Sequence, residues 1–150
     1  MPTQFLDTRT SQASNTNTGT TVLPVATSVP LLLGDIGLQV VTSTSPDDIR
    51  VALWGTIGVT AATISAMNIT IERNGTSVSG TGTIIYNALV EVPVTTVGST
   101  LVSFHAADFH PPFPLDGQIR YTMFAIDAAA GSITVTGPVA FSGTAASGTA

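Results

Sequence analysis

Hydrophobic and polar residues alternate along most of this chain, with the two-residue period of β-strands. Over residues 49–59, Val51, Leu53, Ile57 and Val59 fall on one side and Arg50, Trp54 and Thr56 on the other. Residues 67–73 repeat the pattern and stop at Asn74-Gly75, a tight-turn signal. Residues 82–92 read as a further strand with Ile84, Tyr86, Ala88 and Val90 in phase, ended by Pro93. Strands are also predicted over 37–42, 100–106 and 132–142, and over 118–127 with Ile119, Tyr121, Met123 and Ala125 in phase. No segment carries a helical period. Seven or eight strands rich in Thr, Val and Ile predict an all-β fold, an antiparallel β-sandwich of the jelly-roll kind.

The first 21 residues break the pattern. They are rich in Thr, Ser, Asn and Gln, and residues 11–21 hold no apolar side chain except Ala13. Such a segment cannot offset its ordering entropy by apolar burial. The expected organisation is therefore a polar N-terminal arm, 1–21, and a sandwich domain, 22–150. Phe5 and Leu6 near the tip read as an anchor on a tether, against the plainer reading of a disordered tail.

Composition sharpens the picture. Charged residues make up 9% of the chain, with no lysine and no cysteine, where soluble domains average about 25% charged. A folded monomer of 15.3 kDa exposes roughly 7,000 Å², so its charges are about three times sparser than usual. That surface fits a subunit covered by copies of itself. The net charge of −5 and four scattered arginines argue against nucleic acid as a partner. No apolar run reaches the 18 or more residues of a membrane helix. The N-terminus lacks the basic and apolar regions of a secretory signal, so delivery without Sec export is expected.

Candidate chemistry is thin. His105, Asp108 and His110 form the one cluster of possible metal ligands, but 105 and 110 on a strand point to opposite faces, and Asp108 reads as the start of a loop. Asp47-Asp48 offers hard oxygens for calcium or, more simply, turn residues. No pair of carboxylates stands out, and the G-x-S-x-G elbow and phosphate-cradling glycine loops are absent. Neither a cofactor, a metal nor an enzymatic activity is expected. Trp54, on the polar side of its strand, points to an interface. Phe109, Phe113 and Leu115 in a proline-stiffened loop form a second candidate contact.

The stretches Ile69–Thr76 (residues 69–76, with Arg73-Asn74-Gly75-Thr76), 80–86, 116–126 and 133–141 resemble spore-surface proteins of bacilli and relatives, in their small C1q/TNF-like jelly-roll domains. The likeness covers about residues 30–142, without the collagen-like stalk that often precedes such domains. It implies a non-enzymatic homotrimer on a spore coat, exosporium or endospore appendage. The resulting expectation is a self-assembling structural subunit whose partner is itself, with an anchoring or tip protein beyond. Its inter-subunit docking residues would be Phe5, Leu6, Trp54, Phe109 and Phe113, and the arm would link neighbours into a filament. Two alternatives stand beside it: a viral capsid or fibre jelly-roll subunit, and a carbohydrate- or calcium-binding head built on Trp54, Asp47 and Asp48.

Overall fold

A computed structural model describes residues 3–129 and 132–148. The strands are β1 (Gln4–Ser14), β2 (Thr21–Val22), β3 (Leu31–Gln39), β4 (Ile49–Ala61), β5 (Ser65–Arg73), β6 (Thr83–Val92), β7 (Thr100–Phe109), β8 (Gln118–Asp127) and β9 (Ile133–Ser147), with a 3-10 turn at Pro46–Asp48. One sheet runs β1-β9-β4-β7, with β2 also on β9; the other runs β3-β8-β5-β6. All pairings between these strands are antiparallel. The expected all-β sandwich is what the chain forms.

The alternation explains the core. Val51, Leu53, Ile57 and Val59 of β4, and Ile119, Tyr121, Met123 and Ala125 of β8, point into the same interior. Met67, Ile69 and Ile71 of β5, and Val139, Phe141 and Ala145 of β9, complete it. Ile84 departs from its expected phase. The β5–β6 register slips between Ile71 and Glu72, and Ile84 ends up 57% exposed. Asn74 takes a left-handed φ of 58°, as the turn signal predicts, but nine residues rather than two separate β5 from β6. The buried Glu72 carboxylate organises this loop, accepting from the backbone N–H of Gly80 and Gly82 at 2.8 Å each and from Ser79 Oγ at 3.0 Å.

Residues 4–14 were expected on a separate arm; here they are an edge strand of this chain's own sheet, paired with β9 from Gln4↔Ser147 to Ser14↔Val139. The reason is hydrogen bonding rather than apolar burial. Besides the ladder, Gln4 Nε2 donates to the Thr42 carbonyl at 3.1 Å and its Oε1 accepts from Thr44 N. Asp7 Oδ2 accepts from Gln39 N at 2.9 Å. These bonds fasten β1 to the β3 side of the sandwich. Leu6 turns inward and packs on the core. β2 continues the same path along β9, so residues 4–22 follow one strand with a polar excursion at 15–20. That excursion passes Gly137 (φ +83°), where a Cβ would strike the Thr16 carbonyl. Pro138, which has no N–H to give, sits where both neighbouring ladders lapse.

Asp108, expected to open a loop, lies inside β7 and faces the interior. Arg73 Nη1, from the opposite sheet, donates to its Oδ1 and Oδ2 at 2.9 and 2.8 Å. Tyr121 Oη donates to Oδ2 at 2.9 Å. Burial raises the Tyr121 hydroxyl far above its usual range, and the Asp108 charge raises it further, so the phenol stays a donor. Among the described residues this is the ion pair that bolts one sheet to the other. Asp127, also buried, closes the β8–β9 connection by accepting from Ser65 Oγ, Ala129 N, Ser132 N and Ile133 N. Burial works to raise its pKa, but these bonds prevail and hold it below the usual carboxylate value.

Replacing Asp108 with Ala strands the Arg73 guanidinium and the Tyr121 hydroxyl in the interior. The expected loss is about 3 kcal/mol, the lower end for a broken buried pair, read as a lowered denaturant midpoint at unchanged m-value.

Candidate functional site: an uncharged sheet face

The outward side of the β1-β9-β4-β7 sheet follows from the register. One row across the four strands is Phe5, Ala146, Arg50, Phe109. The next is Thr8, Thr144, Ala52, Ala107; then Thr10, Ser142, Trp54, His105; then Gln12, Ala140, Thr56, Ser103. At about 4.8 Å between strands and 3.3 Å per residue, this face spans roughly 500 Å². A standard interface buries about 800 Å² per partner.

Arg50 is the one side chain in these four rows that carries a permanent charge. The hydroxyls are already spoken for sideways: Thr8 Oγ1 bonds Thr144 Oγ1 at 2.8 Å, Thr10 Oγ1 bonds Ser142 Oγ at 3.1 Å, and Thr56 Oγ1 bonds Ser103 Oγ at 3.2 Å. A hydroxyl paired with its neighbour loses little when water is removed, whereas an unpaired one loses its hydration outright. The face is thus polar in composition yet inexpensive to cover.

The expected docking residues sort cleanly. Phe5 (64% exposed), Trp54 (38%) and Phe109 (70%) share this face. Trp54 stands beside His105, ring centroids 6.0 Å apart. Phe113 (41%) is exposed but sits on the loop after β7, next to the fully exposed Leu115. Leu6 is elsewhere, on the chain's own core. Sequence reasoning missed Arg50, because nothing in the order of residues shows that it lacks a partner.

The metal-ligand candidates diverge. His105 is on the outer face, Asp108 is committed to Arg73, and His110 Nε2 lies 2.8 Å from Asp48 Oδ1 while its ring stacks on Phe109 at 3.9 Å. Among the described residues no three His, Cys, Asp or Glu side chains could hold a metal ion. Asp47 and Asp48 lie in the 3-10 turn before β4 and Trp54 mid-strand, about 20 Å along the chain, so a shared ligand site is not assembled. No helix among the described residues is long and apolar enough to cross a membrane.

No family model matches the sequence, and no curated protein matches it. Among solved structures, the fold is similar to that in infectious bursal virus derived T=1 particles, with 13% identity, a TM-score of 0.50, and coverage of 94% of this chain and 35% of that one. Similarity extends to the infectious bursal disease virus VP2 subviral particle (14% identity, TM-score 0.49, 93% and 31% covered). It reaches a CBM4 domain at 11% identity and a TM-score of 0.36, covering 95% of this chain and 89% of that one. The chain spans about a third of the length of the two viral chains. The class so defined is a jelly-roll β-sandwich.

Trp54 is the chain's sole tryptophan, so its emission reports on this face alone. On raising protein concentration, emission should shift to the blue and acrylamide quenching should fall several-fold. Unchanged quenching across the series would place Trp54 outside any interface.

Proposed function

We propose that this chain is a structural, self-assembling subunit rather than an enzyme, and that copies associate through the outer face of the β1-β9-β4-β7 sheet. The observation that carries this reading is the face itself: broad, served by one charge in its four central rows, edged by exposed aromatics, and lined by hydroxyls that satisfy one another. The acids support it. Glu72, Asp108 and Asp127 hold loops and sheets together instead of meeting in a cleft. The fold shared with the T=1 particles is compatible with a subunit of this kind.

The setting we favour is a spore-surface layer or filamentous appendage, with a trimer as the closed unit, as the resemblance of residues 30–142 implies. Linkage by residues 1–21 belongs to the same proposal. β1 is the outermost strand of its sheet and is joined to β2 by a polar excursion. The ladder it makes with its own β9 could therefore be made with a neighbour's, by strand exchange. A virion or fibre subunit is the second reading, and the same face would serve it.

Electron microscopy of the purified chain tests the reading. The unmodified protein should show regular particles or filaments. Trp54→Glu combined with Ser103→Glu puts two carboxylates on the face without touching the core, and should leave monomers with an unchanged circular dichroism spectrum. Assemblies indistinguishable from those of the unmodified chain would remove the face from the account.

A further inference from the structure

Three of the four arginines pair with an aspartate: Arg9 with Asp7, Arg73 with Asp108 and Arg120 with Asp35. Arg50 does not. Among the described residues its Nε and Nη2, both buried, find no hydrogen-bond partner. These are the two nitrogens through which Arg120 grips Asp35, Nε to Oδ1 and Nη2 to Oδ2. What Arg50 lacks is thus a carboxylate, and because both nitrogens are screened from solvent, one arriving from outside meets them side-on only as the guanidinium turns toward the pocket. Its surroundings make the lack costly. Arg50 lines a pocket of about 380 Å³ whose other walls include Ala52, Ala107, Phe109 and Ala146; Asp108 also borders it, but its carboxylate is taken by Arg73 and Tyr121, so the Arg50 cation stays unpaired and poorly solvated.

The geometry points to the loop after β7 of a second copy of this chain as the occupant of that pocket, with Leu115 filling it and the Asp116 carboxylate meeting Arg50. This deepens the self-assembly reading and rests on it. The four rows of the face hold no acid, so packing the face on its own image leaves both Arg50 side chains unpaired. The carboxylate must come from another part of the partner. Six of the nine acids, Asp7, Asp35, Asp48, Glu72, Asp108 and Asp127, are held within their own chain by side-chain partners or by several hydrogen bonds, whereas Asp116 accepts only one, from the Gln118 N–H at Oδ1. Asp47, Glu91 and Asp116 form no salt bridge among the described residues.

Asp116 is the one that fits a concave apolar pocket. Glu91 lies on the extended strand β6, and Asp47 has beside it only the compact ring of the exposed Pro46, which is too short to fill the pocket. Asp116 follows Leu115, whose side chain is wholly exposed, at 109% of its reference area. Pro111, Pro112 and Pro114 stiffen the loop, so little ordering entropy is lost on docking. The Gln118 N–H, at 3.1 Å from Asp116 Oδ1, holds the carboxylate in place. Loop and pocket are different patches of one subunit, so the contact is heterologous and runs from each copy to the next.

Light scattering on size-exclusion fractions of the full chain tests this with charge reversal. Arg50→Asp and Asp116→Arg should each weaken association by about tenfold or more, and the double variant should regain most of it. Glu91→Arg should change nothing. Neither substitution removes a core contact, and circular dichroism checks the fold of each variant. Single reversals that assemble like the unmodified chain, a double variant no better than the singles, or rescue of Arg50→Asp by Glu91→Arg would each overturn this contact while leaving self-assembly standing. An unmodified chain that stays monomeric overturns both.

Discussion

The Asp108 carboxylate, drawn from one sheet and gripped by Arg73 and Tyr121 of the other, is the interaction on which the sandwich depends. Two apolar faces attract without direction; a buried charge with three hydrogen bonds admits one alignment. With the sheets registered in this way, the inward residues of β4, β5, β8 and β9 meet in one core. The outward residues of β4 and β7 then fall into rows across the opposite face. A chain with nine acids and four arginines that commits an ion pair to its interior, and further carboxylates to its loops, has few charges left for its faces. The neutral exterior follows from how the interior is held.

That exterior is neutral in a particular way. Thr, Ser and Ala line it, and the hydroxyls bond one another across strands. The same pairs stabilise the sheet and lower the cost of removing water from it. Trp54 and Phe109 supply apolar contact at modest entropy cost, and Arg50 supplies one demand that the face itself cannot meet. Stability of the sheet and a low cost of covering it thus rest on the same residues.

Much of this is legible in the order of residues alone. Strict alternation places the inward and outward sides of β4 residue by residue, and with them Trp54; on β8 it finds the inward residues but not the burial of Thr122 and Phe124 on the other side. The edge strand β1 is not legible, because its order comes from a partner strand about 130 residues away and from side-chain bonds to the β3 side, neither of which leaves an apolar pattern. β9 runs past Ser142 because Gly143 and Ala145 fill narrow interior positions, Gly143 against Leu53 and Ile36. Asp108 resembles a loop residue because an acid in a strand reads as a break when its cation lies 35 positions back. For the same reason, Phe109 reads as part of a loop when it belongs to the sheet. The isolation of Arg50 emerges only once the partners of the other three arginines are known.

The account turns on whether copies of this chain cover one another. Sedimentation equilibrium of the unmodified protein over a wide dilution series measures that directly. The account predicts species of several times 15.3 kDa whose average mass falls toward that of one chain on dilution, as mass action requires. A single species of 15.3 kDa at every concentration, including the highest attainable, would contradict it.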